Sequence, residues 1–329
     1  MATDSQKFRL RAIRISIVAS ILILGVKIVA FWISGSVALE SDAIESVVNV
    51  IASCFALYAI TFADKPADED HPYGHGKMED FSAAFEGGLI TIASLFIIYE
   101  AIRVILFPHP LHHLGLGLIL NLAAGSANGF LGFFLVRTGK KYRSKAVEAD
   151  GYHLLSDFYT TIGIAFGLFF VKWTGLQILD PIFALLVGIL LGYTGFRIIR
   201  SSSAALLDSE DPNMISKVTG LMNRFRKPEI ITVHEFRSMR TGRYTHMDVH
   251  IVVPEFYEIK KTHAIVEDFC NKIISEGKIE GEFHSHVDPC AQAYCSNCAV
   301  SPCPIRLKEF VSAPAITVQS ATSKGPTEL

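Results

Sequence analysis

Apolar residues in this chain are gathered into long runs, near 12–34, 38–62, 84–107, 114–136, 153–172 and 177–198. Each is close to the roughly 20 residues a helix needs to cross a hydrocarbon layer, so the pattern predicts six membrane-spanning helices. None of the runs is wholly apolar. Asp42, Glu45, Glu86, Glu100, His153 and Asp157 interrupt them. Ionisable groups are costly in lipid, so these interruptions predict a bundle with a polar interior. After Ser203 the pattern changes. SEDPNMISKVTGLMNRF has a helical period, with Asp211 placed as N-cap and Pro212 at the first position. ITVHEFRSMR and YTHMDVHIVVP alternate as strands joined through TGR, and GEFHSHVD alternates as a third. Between them KKTHAIVEDFCNKIISEG reads as an amphipathic helix ended by Gly277. The expected architecture is an α-helical membrane protein in three parts. A six-span transmembrane domain covers 1–208, an α+β (αββαβ) domain covers 209–289, and a Cys-rich segment with a disordered tail covers 290–329.

Composition supports a membrane class, since half of the 329 residues are hydrophobic and only 19% are charged. The first run is too long for the apolar core of a secretory signal and no clear cleavage site follows it, which predicts no cleavable leader. Basic residues set the orientation. Lys7, Arg9, Arg11 and Arg14 precede the first run, RTGKKYRSK separates the fourth and fifth, and Arg197 and Arg200 close the sixth. The loops SGSVALES, FPHPLHHLG and KWTGLQILD carry almost no such charge, and the loop at 64–80 is acidic, which weighs little in setting orientation. The positive-inside rule then places both termini in the cytoplasm of a multi-pass protein surrounded by lipid. The compact fourth-to-fifth linker has no His-rich insertion, which points to a bacterial cytoplasmic membrane. A net charge of −2 without a basic stripe argues against nucleic-acid binding. No nucleophile or cofactor motif points to an enzyme.

Candidate chemistry concentrates in two of the apolar runs. His153 and Asp157 in EADGYHLLSDFY lie four apart, hence on one helix face, with Asp150 preceding them on that stripe. The second run offers SDAIESVVNV, where Asp42, Glu45 and Asn49 also share a face. Two helices that each turn such donors inward can build a four-coordinate site between them. Zinc accepts these N/O ligands, and an oxygen-rich set also suits manganese or ferrous iron.

The stretches GSVALESDAIES, PADEDHPYGHGKME, ADGYHLLSD and HVDP together resemble the cation diffusion facilitators of the bacterial zinc/iron efflux type, from about residue 12 to 289. The resemblance implies a homodimer that exchanges a divalent cation for protons. It implies transport ligands at Glu45 and Asn49 of the second span and at His153 and Asp157 of the fifth. The second pair matches the family pattern. The first departs from it, since Asp or His is usual at position 45 and Asp at 49. Asn49 is neutral, which leaves two formal negative charges where three are usual and makes Asp42 a candidate substitute.

Three further clusters follow. Asp68, His71 and His75 can converge from one turn, in a loop that binds a second metal in the family. In the α+β domain, alternation puts His246, Asp248 and His250 on one strand face, and His284, His286 and Asp288 together on another. The resemblance selects His234, His250, His263, His286 and Asp288 as ligands of a metal pair at a dimer interface. Beyond the family's core, Cys290, Cys295, Cys298 and Cys303 form a Cys-x4-Cys-x2-Cys-x4-Cys segment. Four thiols so spaced on the cytosolic side point to a zinc or iron–sulfur centre, with a redox dithiol as the alternative. Zinc is the expected cargo, ferrous iron or manganese close behind, with cobalt and cadmium within reach of the same donors. The competing reading is a membrane-bound metal sensor or assembly platform that transports nothing.

Overall fold

A computed structural model of the protein describes residues 4–34, 37–107, 115–176 and 178–325. The chain divides after Leu207 into two compact units. Among the described residues the first holds six long helices: α1 (Asp4–Ser34), α2 (Val37–Ala63), α3 (Lys77–Leu106), α4 (Gly115–Tyr142), α5 (Lys145–Thr174) and α6 (Leu179–Leu206). Described stretches of α1, α2, α3, α5 and α6 are each long and apolar enough to cross a membrane. The 28-residue α4 is the sixth helix of the bundle.

The polarity of this unit is reversed relative to a protein that faces water. Trp32, Phe96, Phe130, Trp173 and Phe196 are exposed, while Arg9, Asn49, Glu86, Asp150, His153 and Asp157 are buried. Aromatic rings turned outward from every part of the bundle suit a lipid surround. Buried polar groups need partners. Asp150 has them, accepting hydrogen bonds from Ser16 Oγ at 2.6 Å and Ser53 Oγ at 2.7 Å. The Arg9 guanidinium donates to both Glu79 and Asp64, and Ser144 Oγ also donates to Glu79. That cluster ties α1, the end of α2, the start of α3 and the start of α5 together.

Small residues allow the close helix pairs. α4 lies along α5 and α3 along α6. A Cβ on Gly151 of α5 would stand 2.6 Å from the backbone nitrogen of Val136 on α4, so any side chain there forces the two apart. α5 itself is fixed at both ends. Ser144 caps it by accepting from the Val147 N–H, and Gly175 closes it in the left-handed region (φ 77°), donating to the Val171 carbonyl.

The second unit runs α7 (Pro212–Phe225), β1 (Thr232–Thr241), β2 (Tyr244–Val253), α8 (Ile259–Gly277) and β3 (Gly281–Pro289). Asp211 caps α7 by accepting from the Asn213 and Met214 N–H groups. β1 and β2 form an antiparallel hairpin, and α8 carries the chain across so that β3 returns parallel to β2. β2 is therefore the central strand. Its Met247, Val249 and Ile251 point into a core with Ile215, Val218 and Met222 of α7 and Phe269 and Ile273 of α8. The alternate positions of β2 face the opposite way. There Val252 joins Ile231, Tyr294, Cys298 and Val300 in a second small cluster.

The C-terminal region corrects the expectation of a disordered tail. A 3-10 turn (Gln292–Asn297) and a short helix α9 (Val318–Thr322) are both formed. Ile316 and Ala321 are buried in the main core of the unit. Asn223 of α7 donates to the Ile316 carbonyl at 2.6 Å and accepts from its N–H at 2.8 Å. The Glu235 N–H donates to the Ser323 carbonyl at 2.9 Å. Two apolar side chains and paired backbone groups hold this polar segment down; its composition alone shows neither.

Candidate metal sites

Asn49 of α2 and His153 and Asp157 of α5 meet in the interior of the helical unit, each less than a tenth exposed. One helical turn separates His153 from Asp157, which brings both to the face that looks at α2. His153 Nε2 lies 2.6 Å from Asn49 Oδ1, and the Asn49 amide Nδ2 donates to Asp157 Oδ2. A neutral amide thus stands between an imidazole and a carboxylate, satisfying both. In this arrangement Nε2 carries a proton, because Oδ1 can only accept. Asn128 of α4 was not anticipated from the sequence. Its Nδ2 donates to the same carboxylate oxygen at 3.3 Å. A lone buried amide in GSANGF was its only signal. The side chains of Asp42 and Glu45 lie outside the described residues; both positions belong to α2.

The loop before α3 gathers its three expected donors. His71 Nδ1 is 3.0 Å from Asp68 Oδ1, and His75 Nε2 is 3.3 Å from Asp68 Oδ2. All three donor atoms lie within 4.8 Å of one another, with His75 buried and the other two exposed. Gly74, at φ 77°, provides the left-handed turn that folds the loop back. Desolvation opposes ionisation of Asp68, yet hydrogen bonds from the His71 ring and N–H and the nearby His75 hold its carboxyl below the usual range. An anionic Asp68 beside neutral histidines is the state a cation requires.

In the second unit the sheet lines up three histidines. His234 of β1 is opposite His250 of β2, which is opposite His286 of β3. Asp288 accepts the row: its Oδ2 is 2.9 Å from His234 Nε2 and 3.0 Å from His250 Nδ1, and its Oδ1 is 3.3 Å from His286 Nε2. His234, His250 and Asp288 offer donor atoms within 4.8 Å of one another. His263 does not belong to that set; it is exposed on α8, 3.7 Å from Glu267.

The four C-terminal cysteines are not gathered in the same way. Among the described residues, no three of their thiols lie within 4.8 Å of one another. Cys298 is buried against Tyr294 and Val300, with Cys290 packed at the edge of that cluster. Burial pushes the Cys290 thiol up, and neighbouring Cys298 and Cys303 add to it. Arg306 organises the segment by donating to the carbonyls of Cys295, Cys298 and Val300 at 2.7–2.9 Å.

Known proteins place these clusters in one context. Residues 13–207 match the model of the cation efflux transmembrane domain, and 211–290 match the cation efflux protein cytoplasmic domain. An uncharacterized transporter of Synechocystis is 34% identical over 279 residues, covering 84% of this chain and 88% of its own. The cation-efflux pump FieF of Yersinia pestis, and its counterpart in Yersinia pseudotuberculosis, are 28% identical over 286 residues, covering 85% of this chain and 92% of theirs. Both halves of the molecule match the same kind of protein in the same order, and the buried polar centre lies within the transmembrane match. The chain belongs to the cation diffusion facilitator family of cation efflux transporters.

Proposed function

We propose that this transporter exports a divalent transition-metal cation, zinc first among them, from the cytoplasm in exchange for protons. The observation that carries the reading is the meeting of Asn49, His153 and Asp157 inside the membrane unit. An imidazole binds metal only when neutral and a carboxylate only when ionised, so cation and proton compete for the same atoms. The proton on His153 Nε2 marks the place a cation would take. Any condition that protonates the imidazole or the carboxylate therefore weakens the hold on the cation. Protons arriving from outside then displace the ion outward, and rocking of the helices around a fixed site supplies alternating access.

Asn49 shapes this site by contributing an oxygen without charge. Asp157 is the one anion among the described donors, with Glu45 or Asp42 as the remaining carboxylate candidates on α2. The His71 and His234 clusters supply two imidazoles and a carboxylate each, a donor set suited to zinc. We place them on the cytoplasmic side of a homodimer, in a bacterial cytoplasmic membrane with both termini inside. Metal held there would favour one dimer arrangement when cytosolic metal is high.

Liposomes containing the purified protein, a pH gradient and a metal-sensitive dye test the reading. Zinc flux follows the proton gradient, collapses with a protonophore, and falls to the empty-liposome rate in Asp157→Ala. Absence of flux with zinc, iron, manganese, cobalt and cadmium alike would overturn transport. It would favour the sensor reading, for which the observation is that Asn49 already satisfies both His153 and Asp157.

A further inference from the structure

A third cluster, in the cytoplasmic domain, belongs to none of the sites above. His246 lies on β2, directly opposite Glu282 in the parallel pairing with β3, and His284 follows two residues later on the same strand. Side chains two apart on a strand share a face, so all three look out from one side of the sheet. His246 Nδ1 is 2.8 Å from Glu282 Oε1, and His284 Nε2 is 3.3 Å from the same oxygen. One donor atom from each residue lies within 4.8 Å of the others. His246 is nearly buried, whereas Glu282 and His284 are open to solvent.

We propose that His246, Glu282 and His284 form a separate binding site for a borderline divalent cation such as Zn2+ or Co2+. The chemistry is that of an open zinc site, with two imidazoles, one carboxylate and a fourth position left to water. Donors at about 2.0–2.2 Å from a tetrahedral ion stand roughly 3.3–3.6 Å from one another, so small side-chain rotations convert the present contacts into coordination. Desolvation raises the Glu282 carboxyl, but the hydrogen bonds and charges of His246 and His284 outweigh it and hold the group below the usual range. The site is distinct from the His234, His250 and Asp288 set. His246 precedes His250 by four residues, which places the two along one strand face about 13 Å apart. The donors come from the central strand and from β3, an edge strand, so an ion here pins the start of β3 to β2. The end of β3 carries His286 and Asp288. Occupancy at one end therefore steadies ligands of the neighbouring cluster at the other.

The bland alternative is that Glu282 is only an acceptor for two histidines. Zinc stoichiometry separates the two without any reliance on transport. Full-length protein in detergent, stripped by chelator and redialysed against zinc, is compared with His284→Ala and with His246→Ala/His284→Ala. His284 is exposed, so its replacement leaves the fold intact. The double variant holds one zinc fewer per chain, and His284→Ala binds that ion at least tenfold more weakly. A His234→Ala/Asp288→Ala chain keeps it. With Co2+ as probe, the wild type shows a set of tetrahedral d–d bands that the double variant lacks and the His234→Ala/Asp288→Ala chain retains. Equal zinc content and equal Co2+ spectra in the wild type and in both histidine variants would overturn the site, even if liposome flux is normal.

Discussion

In the proposed site Asn49 is a donor without charge, set between an imidazole and a carboxylate. An amide oxygen is a serviceable ligand, but it neither attracts a divalent ion from a distance nor competes for protons. Converting it to a carboxylate changes both properties while keeping the shape. Asn49→Asp is expected to tighten zinc binding at the membrane site tenfold or more, read by titration in a chain lacking the cytoplasmic histidines. Release at acid pH is expected to shift with it; unchanged affinity would mean that residue 49 does not touch the ion. Cys270 illustrates the opposite case, a titratable group with no role in the chemistry. Burial in the core of the second unit pushes its thiol up to about 12. An exposed thiol ionises from about pH 8.5, so above that the unfolded chain releases a proton that the fold retains. Stability is complete below this range and falls as pH rises toward 12, by up to about 1.4 kcal/mol per unit. Cys270→Ala flattens that alkaline decline in thermal melts followed by circular dichroism; an identical slope would show that the thiol is not buried in solution.

At the level of elements, the short helix α9 and the segment before it behave as part of the cytoplasmic domain. Burial of a residue such as Ile316 is worth about 1.5–3 kcal/mol, and the Asn223 hydrogen bonds add about 1 kcal/mol. Ending the chain after Ala315 is therefore expected to cost about 2–4 kcal/mol and to lower the melting temperature of the unit by on the order of 10 °C. An unchanged melt would show that the segment is not docked. That docking was invisible in the sequence for a physical reason. FVSAPAITVQSATSKGPTEL has too few apolar residues for a periodicity, and its one well-placed isoleucine acquires meaning only against α7. The helices and strands were legible because their patterns are local: twenty-residue apolar runs, alternation in YTHMDVHIVV, Asp211–Pro212 at a helix start. His153 and Asp157 were legible through one helical turn. Asn128 was not, since its partner is 29 residues away and no motif surrounds it. Cysteine spacing alone does not place the thiols, because regular spacing records chain distance while Cys298 is positioned by packing against Tyr294.

For the molecule as a whole, the described helices turn aromatic rings outward and carboxylates inward, which puts a polar centre in the region its surroundings disfavour most. Asp157 is twelve residues beyond the start of α5, a rise of about 18 Å from that end of the helix. An ion held by Asn49, His153 and Asp157, as proposed, would exchange hydration waters for these protein donors. Magnesium gives up water more reluctantly than zinc, prefers six oxygens in octahedral array, and gains little from an imidazole. On the proposed reading, the burial of the site and the uncharged amide beside it disfavour magnesium, the commonest divalent ion of the cytoplasm. A thousandfold excess of magnesium is expected to leave zinc flux in liposomes within a factor of two. Strong inhibition would mean that hydrated ions reach Asp157, and that selectivity is decided at the water-facing histidines before the membrane is entered.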